Sequence, residues 1–203
     1  MTKAVAGLLA AALLILAVLV AMGDTSAFDT AILKAVAFAG DTSYWRAALF
    51  VTVLGGTPAI LAAMAVVSLL LLRSGEKRTV LLQWAGFLGA RIATDGLKLL
   101  MARPRPADLT DPDRILAAAT SASFPSGHTT SAVYVFGFLI LVMLESNAGP
   151  FIKRGSVALL VLLVVAVASS RLLLGVHYPS DILGGALSGG IMLAFVSGIL
   201  KSR

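Results

Sequence analysis

The 203-residue sequence contains no cysteine, which removes disulfide staples, thiolate metal sites and cysteine nucleophiles together. Charge is scarce as well. Only 13% of the residues are Asp, Glu, Lys or Arg, against about 25% in an ordinary soluble domain. Hydrophobic residues make up 59% of the chain, and the mean hydropathy is +0.97. That apolar excess has to face lipid, so the expected solvent is a bilayer. No linker-like or low-complexity stretch divides the chain, which fits a single membrane-embedded domain over residues 1–203. The net charge of +6 does not point to nucleic acid, because membrane proteins collect basic residues at their cytoplasmic helix ends. Also missing are a His-Glu-x-x-His pair, a Gly-Lys phosphate loop, a Gly-x-Ser-x-Gly elbow and carboxylates at calcium-loop spacing. No metal and no cofactor are expected.

What the sequence does contain is long apolar runs. A spanning helix needs about 20 such residues, and six segments qualify at about 4–23, 47–72, 79–101, 126–144, 155–174 and 180–200. The expected fold is all-α, a polytopic bundle of six transmembrane helices. The first run could instead be a signal peptide, with Lys3 as its basic end and Ala21-Met22-Gly23 near a cleavage site. It exceeds the usual h-region of about 7–15 residues, which favours a retained span. Lys3, the basic cluster at 73–78, Lys153-Arg154 and Lys201 with Arg203 fall at alternate ends, which marks those ends as cytoplasmic. Both termini then lie inside. Loops 24–46 and 102–125 and the turn at 171–181 lie outside.

Ionisable residues gather at that outer face in three clusters. The first is Phe124-Pro125-Ser126-Gly127-His128-Thr129-Thr130-Ser131, where a loop becomes the fourth span and Pro125 fits a helix entry. A helix start offers free backbone N–H groups and partial positive charge, which suits phosphate, and Gly127 lets an anion come close. His128 is placed to donate a proton, although a plain helix cap with an interfacial histidine would look the same. The second cluster runs from Ser170-Arg171 to His177, Tyr178, Pro179, Ser180 and Asp181. Pro179 fits the start of a helix. Asp181, about a turn from His177, can accept Nδ1–H and leave Nε2 as nucleophile or base. Arg171 can fork two phosphate oxygens, or snorkel to headgroups. The third cluster holds Lys98 and Arg103-Pro104-Arg105-Pro106, whose arginines share a side if the run is extended. Arg103 could equally meet lipid headgroups. Deeper in the third span, Arg91 and Asp95 at i,i+4 read as an intrahelical ion pair facing the bundle interior.

Three cations, a helix start, two histidines and a carboxylate fit phosphoryl transfer in which side-chain cations do the work of a metal ion. One histidine would attack phosphorus and the other protonate the leaving oxygen. Lys98 with six residues to Arg105-Pro106, then Pro125-Ser126-Gly127-His128, then Ser170-Arg171 with five residues to His177 and three to Asp181, resembles the three-part signature of the type 2 phosphatidic acid phosphatase superfamily. The resemblance spans about residues 24–200, with Asp29 and Gly55-Gly56 also where such proteins often carry Asp and Gly. It implies that His177 is the nucleophile of a phosphohistidine mechanism, that Asp181 orients it and that His128 is the general acid. It also implies that Lys98, Arg105, Arg171, the Ser126 hydroxyl and the Gly127 N–H hold the phosphoryl oxygens without a metal, and it selects Arg105 over Arg103.

The expected activity is therefore hydrolysis of a lipid phosphate or diphosphate at the outer leaflet of a plasma membrane. Undecaprenyl diphosphate, phosphatidylglycerophosphate and phosphatidic acid are candidate substrates. A lipid phosphotransferase is a close variant. A non-enzymatic lipid-binding or transport protein is the other class, but no inverted repeat supports a transporter, and the glycines Gly184, Gly185, Gly189 and Gly190 read more simply as close helix packing. Expected partners are a lipid phosphate and membrane lipids, not nucleic acid; the oligomeric state is open. The absence of native cysteine gives the topology a clean test. A cysteine introduced at Asp111 is expected to react with an impermeant thiol reagent on intact cells, and labelling only after lysis would reverse the orientation.

Overall fold

The computed structural model describes residues 3–37, 42–106 and 121–202. Asp108, Asp111, Asp113 and Arg114 of the expected outer loop lie outside the described residues. Eight helices follow in order: α1 (Lys3–Met22), α2 (Ser26–Ala37), α3 (Thr42–Leu54), α4 (Thr57–Arg73), α5 (Lys77–Met101), α6 (Gly127–Glu145), α7 (Pro150–Leu173) and α8 (Pro179–Lys201). No strand occurs among the described residues. Proline opens α7 and α8, where a missing N–H costs no helical bond. Gly23, Gly75 and Gly175 adopt positive φ just after α1, α4 and α7, a conformation that glycine reaches without a Cβ clash.

The fold is all-α as expected, but the helix pattern departs from six uninterrupted spans in two places. The run expected at 47–72 is two helices, α3 and α4, bent by 45° at Gly55-Gly56. The segment 24–46, expected as a loop, holds α2 and the beginning of α3. Four helices (α1, α6, α7 and α8) are long and apolar enough to cross a membrane, and the bent α3–α4 pair makes a fifth candidate. The third expected span, α5, is 25 residues long but carries Arg91, Asp95 and Lys98, and is not among them.

Helix α6 lies at the centre. Its Ala132, Tyr134, Val135, Phe136 and Phe138 are buried against Ile60 and Met64 of α4, Phe87 of α5, Val167 of α7 and Val196 of α8. Large apolar side chains on the outer helices point outward instead, with Leu99, Leu100 and Phe151 more than four-fifths exposed. In water such exposure would be costly; in a bilayer it is the lipid contact. Buried polar side chains pair across helices. Tyr134 donates to the Gln83 carbonyl at 2.9 Å, the Gln83 amide donates to the Met64 carbonyl at 3.2 Å, and Trp84 Nε1 donates to Ser68 Oγ at 2.9 Å. Helix α1 lies along α8, with Leu16, Ala17 and Val20 buried against Phe124 and Leu187.

The glycines of α8 explain how α8 meets α6. A Cβ at Gly185 would strike the Ser126 carbonyl oxygen, and one at Gly189 the Thr130 carbonyl oxygen. Both obstacles are backbone, so they cannot rotate away. The absent side chains allow the two helix axes to approach closely, and that approach brings the starts of α6 and α8 together. Replacing Gly189 with Ala should therefore destabilise the protein by about 1–3 kcal/mol, as overpacking does in a filled interior. Gly155→Ala in α7, where nothing lies within 4 Å of the new Cβ, should gain about 0.5–1 kcal/mol. Thermal melting in one detergent tests the pair, and equal melting temperatures would contradict the close α6–α8 contact.

Candidate active site

One end of the bundle gathers the three ionisable clusters singled out for the outer face. The end of α5, the segment 102–106, residues 121–126, the start of α6, the turn 174–178 and the start of α8 meet there. The backbone itself joins two of them, because the Ser126 N–H donates to the Asp181 carbonyl at 2.9 Å. Ser126 is the N-cap of α6, and its Oγ accepts from the Thr129 N–H at 3.5 Å and the Thr129 hydroxyl at 3.1 Å. Pro125 sits one residue ahead of that cap rather than inside the helix. The Ser126 O–H proton is used in neither bond, and the N–H groups of Gly127 and His128 lie in the first helical turn, the place where an anion is stabilised.

His177 lies in the turn between α7 and α8 and is 2% exposed. Its Nδ1 is 3.4 Å from Asp181 Oδ2 and 3.4 Å from Ser123 Oγ. The Ser123 hydroxyl and the Tyr178 N–H both donate to the same Asp181 oxygen, the latter at 2.8 Å. On the other side of the ring, Arg105 Nη1 approaches Nε2 at 3.2 Å. A guanidinium only donates, so Nε2 is the acceptor and Nδ1 carries the proton. That tautomer leaves the Nε2 lone pair aimed at the cations. Burial pushes the His177 pKa down to about 4; the Asp181 hydrogen bond opposes the shift, and Arg105 and Arg171 reinforce it. The ring is neutral at physiological pH.

Three cations lie at this end of the bundle, and Arg105 is the one of them within reach of the lone pair. Arg105 donates to the Val176 carbonyl at 2.8 Å and the Ser121 carbonyl at 3.1 Å, so its fork is braced by the backbone. Burial lowers its pKa, with Asp181 acting in the opposite direction. Lys98 donates to the Ala122 carbonyl at 2.5 Å from the last turn of α5. Arg171, 4% exposed at the end of α7, donates to Thr52 Oγ1 at 2.6 Å. Its Nε is buried without a hydrogen-bond partner. A buried N–H of that kind needs an acceptor, and a phosphoryl oxygen is one.

His128 enters from α6. It lines a cavity of about 320 Å³ together with Arg171, Thr52, Val53, Gly56, Pro58 and Ala59. The α3–α4 elbow forms the other wall. A Cβ on Gly55 would meet both the His128 ring and the Val167 side chain, so only glycine permits the backbone to pass there. A second groove, of about 750 Å³, opens beside Lys98, Arg103 and Arg105.

The eight expected site residues, Lys98, Arg105, Ser126, Gly127, His128, Arg171, His177 and Asp181, thus meet at one end of the fold. Arg103 does not meet headgroups. It spans two buried carboxylates, Asp29 and Asp181, at 2.7 Å each. Burial works against its charge, but the Asp29 hydrogen bond and the Asp181 carboxylate outweigh that and raise its pKa. The Arg91–Asp95 pair forms at 3.3 Å, but its side chains are 32% and 54% exposed, so it does not face the bundle interior. Arg91 leans toward Gly127, where a Cβ would meet its Nη1. The residues that sequence reasoning missed are Thr52, Ser123 and the role of Asp29. For Asp29 a signal existed, since Ser26-x-x-Asp29 ahead of Ile32 and Leu33 is a helix-start pattern. For Thr52 and Ser123 no local pattern distinguishes them.

Known proteins are similar to this chain in sequence and in fold. The PAP2 superfamily model matches residues 79–203. Decaprenylphosphoryl-5-phosphoribose phosphatase of Mycolicibacterium smegmatis is 34% identical over 117 residues, 57% of each chain. Phosphatidylglycerophosphatase B of Bacillus subtilis is 33% identical over 84 residues, 40% of each chain. The chain thus spans about half the length of these curated relatives. Among solved structures it is similar to a transmembrane PAP2 type phosphatidylglycerolphosphate phosphatase from Bacillus subtilis, with a TM-score of 0.87 and 26% identity. That likeness covers 98% of this chain and 96% of the other.

The tautomer and charge of His177 can be checked directly. Its pKa falls from 6.5 to about 4 on folding, so protonation favours the unfolded chain. The stabilising contribution is complete above pH 6.5 and is lost as pH falls from there through 4. In ¹⁵N-histidine NMR spectra, His177 should keep the shifts of a neutral, Nδ1-protonated ring down to about pH 4. A midpoint near 6.5 would show that burial and the two arginines do not govern it.

Proposed function

The chain belongs to the PAP2 superfamily, and from that premise we propose that it is an integral-membrane phosphatase cleaving the phosphomonoester or diphosphate of a lipid. The observation that carries this reading is His177: a buried imidazole tied through Nδ1 to Asp181, with Nε2 turned toward Arg105. That is the arrangement a nitrogen nucleophile needs. Lys98, Arg105 and Arg171, with the Gly127 N–H and the Ser126 hydroxyl, hold the three phosphoryl oxygens. Their charge stabilises the transition state and stands in for a metal ion.

In the first step Nε2 forms a bond to phosphorus as the phosphorus–oxygen bond to the lipid breaks. His128 gives its proton to the departing oxygen. In the second step His128 takes a proton from water, the water oxygen bonds to phosphorus, and the nitrogen–phosphorus bond breaks. Inorganic phosphate leaves and both histidines return to their starting states. Asp181 keeps the Nδ1 proton in place throughout and offsets the positive charge of the phosphorylated ring.

The substrate is read as a lipid phosphate because the site opens among helices long and apolar enough to cross a membrane, and because relatives are named for lipid-linked phosphates. Phosphatidylglycerophosphate, undecaprenyl diphosphate and phosphatidic acid are the candidates. The distribution of basic residues favours cytoplasmic termini and a site at the outer leaflet of the plasma membrane.

Phosphate release from purified protein in detergent, measured against these lipids with EDTA present, tests the proposal. Activity should survive EDTA and should fall by at least about 10³-fold in His177→Ala, as loss of a nucleophile does in other enzymes. Full activity in that variant would remove the assigned nucleophile, and complete inhibition by EDTA would remove the metal-free mechanism. Transfer of phosphate to an added alcohol in place of release would make the protein a phosphotransferase.

A further inference from the structure

Arg103 holds two buried carboxylates at once. Its Nη1 donates to Asp181 Oδ1 and its Nη2 to Asp29 Oδ2, each at 2.7 Å. Both aspartates are completely buried, and the guanidinium lies 4.1 Å from the Tyr178 ring centroid. Asp29 is fixed further by the Ser180 N–H at 2.9 Å and the Ser180 hydroxyl at 2.6 Å. The first turn of α2 is thereby locked to the first turn of α8, beside the residue that holds His177.

The electrostatic result differs from that of a simple ion pair. A guanidinium placed with both nitrogens on Asp181 would neutralise the carboxylate that the imidazole depends on. Here one cation is shared between two anions, so the triplet keeps one net negative charge next to His177. That surplus has work to do. When Nε2 bonds to phosphorus and Nδ1 retains its proton, the ring becomes positive. Arg105 from the segment after α5 and Arg171 from α7 oppose that charge, as does His128 from α6 when protonated. Asp181 and its surplus favour it, while Ser123 and the Tyr178 N–H are neutral donors to the same oxygen.

We propose that Asp29 is a positioning residue for the nucleophile: by sharing Arg103 it holds Asp181 in place and keeps the Asp181 charge available to His177. The inference rests on the reading of His177 as nucleophile given above. Asp29 touches neither the phosphoryl group nor the histidine and acts through two intermediaries. A structural brace alone would need the contacts but not the charge.

The test separates these roles with a neutralising variant and a charge-restoring one. In Asp29→Asn the triplet loses its surplus charge; in Asp29→Asn/Arg103→Gln the net charge of minus one returns, with a shorter neutral amide in place of the guanidinium. The single variant should lower kcat by about 10-fold with KM little changed, the effect of a shift of about one pKa unit at the nucleophile. The double variant should recover most of that loss, and Asp29→Glu should recover part of it. A second readout does not need turnover: the downfield Nδ1–H proton of His177 should move upfield in Asp29→Asn and return in the double variant. Melting curves show that each variant is folded. An Asp29→Asn protein with the parental kcat and an unmoved proton resonance would overturn the inference, as would a double variant worse than the single in both readouts. If no lipid phosphate is hydrolysed, or if His177→Ala stays active, the functional reading fails on its own. The proton resonance then still decides whether Asp29 governs the His177–Asp181 bond.

Discussion

Everything at the active end depends on keeping the Asp181 carboxylate ionised inside a helix bundle. A buried carboxylate with no partners costs many kcal/mol and would take up a proton instead. Asp181 escapes that because Arg103, Ser123 and the Tyr178 N–H all reach it. Each donor comes from a different stretch of chain, so satisfying one side chain fixes the segment after α5, the approach to α6 and the entry to α8. His177 then has one orientation available. The Asp181 backbone adds to the constraint by accepting the Ser126 N–H, which sets the start of α6 at the same place.

Around that fixed anion the cations are arranged in the opposite sense. Lys98, Arg105 and Arg171 spend their described bonds largely on neutral oxygens: backbone carbonyls and the hydroxyls of Ser121 and Thr52. Neutral partners hold the groups in position but leave their charge uncompensated at short range. In surroundings of low polarity the mutual repulsion is substantial, and a bound anion would relieve it. The site is organised for an anion before one arrives. The lone buried Nε–H of Arg171 is the local expression of the same design.

The sequence made the apolar bundle and the clustered site residues legible because both rest on strong local signals. Long uncharged runs declare helices, and Pro179, Gly127 and Pro-Ser-Gly-His declare where a helix begins. The misjudged elements lacked such signals or contradicted them. The run at 47–72 is uniformly apolar, and the Gly55-Gly56 elbow inside it is dictated by the nearness of His128 and Val167, which are far away in the chain. Helix α2 is hidden by its charged residues Asp29 and Lys34, yet Asp29 is polar because Arg103 waits 74 positions later. Arg103 and Arg105 are separated by one proline in the same four-residue motif. One holds carboxylates and the other faces the histidine; the family resemblance selects Arg105, but what Arg103 does instead is set by the three-dimensional arrangement of α2 and α8.

The bond from Ser180 to Asp29 joins residues 151 positions apart. His177, Ser180 and Asp181 all belong to the last 27 residues of the chain, whereas their supports at Asp29, Thr52, Lys98 and Arg103 are made much earlier. The helices made before residue 177 therefore hold an incomplete site, without the imidazole and without the carboxylate beside its Nδ1. The glycine face of α8 against α6 is what brings residues 180 and 181 to those early supports. The arrangement is thus coupled to completed assembly: a chain truncated before α8 carries the cations and His177 but not Asp181, the carboxylate beside the Nδ1 of that ring.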